Sequence, residues 1–274
     1  MLKLIPMKKC IVCSKTNEHL FCPTCIKDPF KFEKGRQILA SRNRLGELEK
    51  LYGRGAAEIK NLNTSDFWDE RIDESIDHLP PDGMTKERVE IAYSFIPKNS
   101  KRVLDIGAGY GYVERLLSKN KNVEIYGNDI SENAIKNLKR RFKGNFKIES
   151  VYSMKYKPGF FDAALMLEVL EHIPPSKTFK VLADIKKLLK KGGYLIVSVP
   201  TNEGLEDMKD NPNGHVRMYT VDLIKAELKI AGFESEEIKT LYAFNTMYFF
   251  KKLLAKVFRN KWSPNDIIVL AKSV

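Results

Sequence analysis

The sequence predicts an α/β fold built on a parallel sheet, preceded by a small cysteine module and a helical linker. Three observations predict it. From about residue 85 onward, short apolar runs alternate with helical periodicities, the pattern of strands joined by right-handed crossovers. Within that region, Val103-Leu104-Asp105-Ile106-Gly107-Ala108-Gly109-Tyr110-Gly111 is an apolar run closed by an acid and then by three glycines at alternate positions. Val113, Leu116 and Leu117 follow at helical spacing, so the stretch reads as strand, tight turn, helix. Finally, all four cysteines lie near the N-terminus as Cys10-Ile-Val-Cys13 and Cys22-Pro-Thr-Cys25.

Taken in order, residues 1–30 form the cysteine module. Two C-x-x-C knuckles separated by a short loop can present Cys10, Cys13, Cys22 and Cys25 to one tetrahedral zinc, giving a zinc-ribbon-like unit. A single C-x-x-C pair is also suited to redox chemistry, but the doubled pair points to a structural metal that holds together a unit too small to fold alone. Residues 31–84 form the linker, in which Ile38, Leu39, Leu45, Leu48, Leu51, Tyr52 and Ile59 fall at helical spacings interrupted by Gly46, Gly53 and Gly55. Arg36, Arg42, Arg44 and Arg54 decorate these helices, which read as solvated connectors or as a nucleic-acid arm. Asp66 to Leu79 reads as a capped amphipathic helix with Phe67, Trp68, Ile72, Ile76 and Leu79 on one side. Pro80-Pro81-Asp82-Gly83 breaks it, and Thr85 to Phe95 opens the main domain, residues 85–274.

The glycine turn after Ile106 is a ligand cradle, because glycine lets a ligand approach closer than any Cβ would allow. Its spacing, D-x-G-x-G-x-G, differs from the G-x-G-x-x-G of dinucleotide sites. Asp105 would repel an anion and welcome an amino group or a sulfonium. Further strands are predicted at Val123 to Gly127, closing in Asn128-Asp129-Ile130, at Lys147 to Val151, at Phe161 to Glu168, and after the turn Lys191-Gly192-Gly193 through Pro200. Thr220 to Ala231 reads as a helix, and Phe233 to Tyr242 and Asp266 to Lys272 as the last strands, with an aromatic and basic insertion at about 243–264 between them.

These motifs, in this order, resemble those of class I S-adenosylmethionine-dependent methyltransferases over roughly residues 85 to 274. The resemblance implies a Rossmann-like, seven-stranded, mostly parallel sheet whose final strand is antiparallel. It also implies S-adenosylmethionine as cofactor, held by Asp105, Gly107, Ala108, Gly109, Gly111, Asp129, Ile130, Ser150, Val151 and Leu167. Asp129 is the acid that takes the ribose hydroxyls, and Ser150 stands where many members carry the acid that binds the adenine amine. A helix ahead of the core lies over the cofactor in related enzymes, which gives Phe67, Trp68 and Arg71 a place at the pocket, with plain packing as the alternative.

The fourth strand runs into Glu168-Val-Leu-Glu171-His172-Ile-Pro-Pro. If a helical turn starts there, Glu168, Glu171 and His172 share one face, and His215 on the loop after the fifth strand supplies a fourth candidate ligand for a second, divalent metal. The cluster resembles the metal sites of small-RNA 2′-O-methyltransferases and of ubiquinone-pathway O-methyltransferases, where the metal orients a hydroxyl and lowers its pKa. Without a metal, His172, Glu168 or His215 is the candidate base for a hydroxyl acceptor, or the cluster is structural.

The 47 Lys and Arg against 35 Asp and Glu give a net charge of +12, concentrated in residues 1–60 and in Ala243 to Trp262. RNA, an anionic acceptor or a lipid headgroup would suit such regions, and a solvated lysine-rich surface would equally account for them. The segment 244–262 reads as a pocket wall or as an amphipathic surface touching a membrane. No apolar run approaches the length of a membrane span, and Met1 to Lys9 lacks a secretory h-region, so a cytoplasmic location is expected. The sequence therefore predicts an enzyme that methylates a hydroxyl of a small molecule, glycan or lipid precursor. RNA methylation guided by the zinc module, and a non-catalytic RNA- or protein-binding adaptor, are the alternatives.

Overall fold

A computed structural model describes residues 8–17, 19–53, 60–72, 83–201, 213–243, 250–251, 253–254 and 263–274. The chain opens with a minimal antiparallel hairpin, β1 (Lys8–Lys9) and β2 (Thr16–Asn17), around the first cysteine knuckle. Four helices follow: α1 (Pro23–Ile26), α2 (Pro29–Ser41), α3 (Leu45–Tyr52) and α4 (Ser65–Asp69). Then α5 (Met84–Phe95) leads into β3 (Arg102–Ile106), α6 (Tyr112–Leu117), β4 (Glu124–Asp129), α7 (Glu132–Arg141) and β5 (Asn145–Ile148). The second half comprises β6 (Phe161–Leu167), a 3-10 turn (Leu170–His172), α8 (Pro175–Leu188), β7 (Leu189–Pro200), α9 (Val221–Ile230), β8 (Phe233–Leu241) and β9 (Asp266–Ser273).

The seven strands β3 to β9 form one sheet in the order β5-β4-β3-β6-β7-β9-β8. β3 to β7 pair in parallel, and β9 runs antiparallel to both β7 and β8, as the resemblance implied. The chain winds outward from β3 through β4 to β5, then returns to lay β6 on the other side of β3. At that switch point the connections leave β3 and β6 in opposite directions, which opens a crevice at the carboxyl ends of the strands.

Side-chain alternation gives the sheet two buried faces. Leu104, Ile106, Ala164, Met166, Leu195 and Val197 belong to one apolar cluster, and Val103, Ala163, Leu165 and Ile196 to the other. Helices α5, α6 and α7 cover the second face with Val89, Ala92, Val113, Leu117, Ile135 and Leu138. The first is covered by α8 and α9, and also by Cys10, Phe21, Phe32, Leu39, Leu48 and Leu51 of the N-terminal segment.

Three expectations change. The linker helices are not solvated connectors: their break falls at Arg42–Arg44, where Asn43 takes φ of +52°, and Gly46 lies inside α3. Arg36 is not on the surface; at 1% exposure it pairs with Glu33 inside the protein. The helix expected over Asp66 to Leu79 starts earlier, capped by the Thr64 hydroxyl that accepts from Phe67 N at 3.2 Å, and it ends at Asp69. Residues 73–79 lie outside the described residues, as does most of the 243–264 insertion.

Candidate active site

The crevice holds a cavity of about 890 Å³. Its floor is the glycine turn, shaped by hydrogen bonds to the neighbouring strand. Gly107 N and Ala108 N both donate to Asn128 O, at 2.8 and 3.2 Å, and Gly109 N donates to Asp129 Oδ2 at 2.9 Å. The other Asp129 oxygen accepts from Ser131 N at 2.9 Å, so this carboxylate is aimed by two backbone donors. Gly107 takes φ of +71°, and a Cβ there would come within 2.6 Å of Val169 Cγ2.

Helix α4 forms the roof. Asp69 accepts from Ser131 Oγ at 2.6 Å and from Asn133 N at 3.1 Å, pinning the helix to the start of α7. Tyr110 of the glycine turn donates its hydroxyl to Arg71 O at 2.6 Å, and Asn63 Nδ2 donates to Gly214 O at 2.7 Å. The roof thus touches both the glycine turn and the segment that carries His215.

The far wall is the exit from β6. Glu168 takes φ of +54°, which turns the chain so that the helical turn begins only at Leu170. Glu168, Glu171 and His172 therefore do not share one helical face. Glu168 accepts from Ser198 Oγ at 2.7 Å and pairs at 3.0 Å with Arg88, which also reaches Asp266 at 2.7 Å. Glu171, His172 and His215 instead form a group whose ligand atoms lie within 4.8 Å of one another, and Glu168 stands apart from it.

Electrostatically this group is out of balance. Glu171 is fully buried, and among the described residues no other residue hydrogen-bonds its side-chain oxygens; His172 Nε2 and His215 Nε2 lie 3.9 and 4.0 Å from Glu171 Oε1. Burial, with the Glu168 charge adding, pushes the Glu171 carboxyl well above the usual range. Burial, with His215 adding, holds His172 down at about 3, so its ring is neutral. His172 Nδ1 lies 3.2 Å from Gly214 O, and a carbonyl only accepts, so Nδ1 carries the proton and Nε2 keeps its lone pair. The ring meets Trp68 edge-on at 5.0 Å and His215 at 4.8 Å.

Of the residues named from sequence, Gly107, Gly109, Asp129, Ile130, Ser150, Val151, Glu168 and His172 line the cavity, with Trp68 and Arg71 above it. Asp105, Ala108, Gly111, Leu167, Glu171 and His215 do not. Asp105 is 4% exposed and lies beside the buried Glu114, so burial and the Glu114 charge push its carboxyl well up. Gly111 is needed for packing, since a Cβ there would come within 2.6 Å of Leu138 and 2.8 Å of Phe142. Sequence reasoning missed Asn61, Asn63, Tyr110 and Glu149 in the lining. Glu149 is an acid one residue ahead of Ser150; its Oε1 accepts from Lys155 N at 3.0 Å, and its Oε2 has no partner among the described residues.

At the N-terminus, Cys10, Cys13, Cys22 and Cys25 converge, with ligand atoms also within 4.8 Å of one another and no disulfide among them. Burial opposes ionisation of Cys10, but the N–H groups of Cys13, Cys22 and Val12 outweigh it and bring this thiol down to about 6. Among the described residues, no helix is long and apolar enough to cross a membrane.

The model of a methyltransferase domain family matches residues 70–238, more than half of the chain. An uncharacterised protein of Methanocaldococcus jannaschii is 28% identical over 180 residues, 63% of this chain and 72% of that one. The 27-O-demethylrifamycin SV methyltransferase of Amycolatopsis mediterranei is 28% identical over 150 residues, 49% of this chain and 54% of the relative. The ubiquinone biosynthesis O-methyltransferase of Xylella fastidiosa is 26% identical, again over 49% of this chain and 54% of the relative, so the chain spans about half the length of these two. Among solved structures, a chain from the Haloferax volcanii complex containing the Trm112 methyltransferase activator superimposes with a TM-score of 0.62 at 15% identity, covering 77% of this chain and 97% of its own. An Archaeoglobus fulgidus SAM-dependent methyltransferase gives 0.54 at 21% identity, covering 69% and 92%. These structural likenesses are likenesses of fold.

Proposed function

We propose, on the premise that this chain belongs to the methyltransferase domain family and is an S-adenosylmethionine-dependent methyltransferase, that it methylates a hydroxyl oxygen of a small-molecule, glycan or lipid-precursor acceptor. The observation that carries the reading is Glu171, buried behind the cavity-lining His172, without a side-chain hydrogen-bond partner among the described residues and grouped with two imidazoles. Buried this way the carboxyl is ionised only with a cation beside it. Glu171, His172 and His215 would hold a divalent ion, which supplies Lewis acidity toward the acceptor hydroxyl. The mixed nitrogen and oxygen donors fit such an ion, and the Nδ1–H bond of His172 to Gly214 O fixes the tautomer that leaves Nε2 free. The names of the rifamycin and ubiquinone relatives, both O-methyltransferases of small molecules, support the acceptor class.

The reaction is an in-line displacement at the sulfonium carbon: the C–S bond breaks as the C–O bond forms, and the hydroxyl proton leaves. The protein's contribution is alignment and exclusion of water. In this reading Gly107, Gly109 and Asp129 hold the methyl donor, with Asp129 on the ribose, and the free Glu149 oxygen suits the adenine amine in place of Ser150. Trp68 and Ile173 flank His172 on the acceptor side; with a metal on Nε2 the hydroxyl proton would pass to solvent, and only without one is the neutral His172 ring able to take it. Cys10, Cys13, Cys22 and Cys25 would hold a structural zinc.

Elemental analysis of protein purified in metal-free buffer, then offered magnesium, manganese or zinc, tests both sites beside a Cys10→Ser/Cys13→Ser variant and Glu171→Ala. The reading expects one zinc lost in the cysteine variant and a second ion that survives it, while Glu171→Ala loses the second ion and methyl transfer yet binds S-adenosylhomocysteine normally. A Glu171→Ala protein with normal turnover sinks the metal reading and leaves His172 as the base.

A further inference from the structure

We infer that α2, braced by the cysteine module, positions His215 for the acceptor side of the site, through Glu33, Gln37 and Arg217. The inference rests on the reading above only in giving His215 and Glu171 a role in transfer.

The segment carrying His215 is held by both of its backbone flanks. On one side Gly214 O accepts from Asn63 and His172, and Val216 N donates to Glu171 O at 3.0 Å. On the other, Met218 N donates to Glu33 Oε1 at 3.3 Å, and Met218 O accepts from Gln37 Nε2 at 3.3 Å. Both partners of Met218 lie one turn apart on α2. Between these flanks Arg217 is fully buried; it donates to Thr178 Oγ1 at 2.7 Å, Tyr219 Oη at 2.5 Å and Tyr52 Oη at 3.0 Å, and pairs with Glu227 of α9. Glu33 lies 3.8 Å from the same guanidinium and pairs with Arg36 on the next turn.

Glu33, Arg36, Arg217 and Glu227 thus form a buried group of two cations and two anions, all at 0 to 1% exposure. Ions buried this way contribute little net stability, but losing the partner of any one is costly. If α2 slid by a turn against α9, Glu33 would leave Arg217 and the Met218 amide together. The network therefore sets the register of α2 against the His215 segment.

The cysteine module in turn sets the position of α2. Asp28 caps α2 by accepting from Phe30 N and Lys31 N, both at 3.1 Å. Phe21, between the two knuckles, points the tip of its ring at Gly35: a Cβ there would come within 1.7 Å of Phe21 Cζ, and the ring also packs edge-on against Phe32 at 6.1 Å. Only glycine allows that contact. The module is therefore a strut for the active site.

Gly35→Ala tests this in the full chain, because alanine favours the helix and leaves every cysteine in place while displacing Phe21. The chain has four histidines, so protein labelled at histidine Cε1 gives four ring signals, assigned with His19→Gln, His172→Gln and His215→Gln variants. Spectra are taken in metal-free buffer, which separates the outcome from that of the metal reading. The expected result is that Gly35→Ala shifts or broadens the His215 signal, keeps S-adenosylhomocysteine affinity within about twofold, and regains the native signal when combined with Phe21→Leu. A His215 signal unchanged in Gly35→Ala, while limited proteolysis shows the module released, overturns the inference. Should Gly35→Ala not fold, Gln37→Ala removes one of the two Met218 bonds alone, and an unmoved His215 signal there overturns it equally.

Discussion

Asp129 has both carboxylate oxygens engaged by backbone donors, Gly109 N and Ser131 N, yet it lines the cavity. Its substitution removes a charged acceptor and loosens the glycine turn at once. Asp129→Ala is expected to weaken S-adenosylhomocysteine binding by about 1.5 to 3 kcal/mol, the range for hydrogen bonds to a charged group, measured by titration calorimetry. A loss under about 0.5 kcal/mol would show that the ribose is held elsewhere. At this scale the sequence showed which residue types were loaded with chemistry but not how each would point. Glu168 and Glu171 are both acids ahead of the same histidine. One backbone angle, φ of +54° at Glu168, sends the first to Ser198 and Arg88 and leaves the second buried with the histidines. Asp105 is a similar case: the motif identifies it, and burial beside Glu114 raises its carboxyl.

The junction of β3 and α6 carries a pH signature for that reason. Burial raises Glu114 from its ordinary value of 4.5 to about 7, the Asp129 charge adding to it, and Asp105 beside it is raised as well. A carboxyl whose folded pKa is raised binds its proton more tightly in the native state. Its contribution to stability is therefore complete below pH 4.5 and is lost as pH rises through about 7. Wild-type protein should lose melting temperature between pH 5 and 7.5 more steeply than Glu114→Gln, read by circular dichroism. Parallel curves would mean that the pair titrates normally. The strands that frame this junction were legible, since their apolar runs and glycine turns are local. The linker helices were less so: α2 and α3 carry basic residues and glycines that read as surface features, yet Arg36 is neutralised by Glu33 and stacked over Phe32 at 4.9 Å.

Across the molecule, the cysteine module is continuous with the main core. Cys10, Phe21, Cys25 and Phe32 share one apolar cluster with Leu104, Leu195 and Val269 of the sheet. A metal that holds the N-terminal unit together is therefore expected to stabilise the main core as well. Cys10→Ser/Cys13→Ser, or chelation of the wild type, should lower the melting temperature of the whole chain in one cooperative transition, followed by calorimetry. A separate early transition that leaves the main melt in place would restore the picture of an independent module.

What the sequence by itself determined is whatever depends on near neighbours: the strand–glycine–helix turn at Val103 to Gly111, the parallel order of elements, the cysteine quartet, and the acid and histidine pair at Glu171 and His172. Hydrophobic period, turn residues and ligand spacing act over a few residues, so they can be read along the chain. Only the tertiary structure decided which acid joins the histidines, that Asn63 and Gly214 meet across the site, and that Arg217 lies among α2, α3 and α9. The physical reason is that charge and hydrogen bonding in a buried site are set by whichever groups exclude water there. In this chain those groups come from residues more than 150 positions apart, such as Asn63 and Gly214, or Gln37 and Met218.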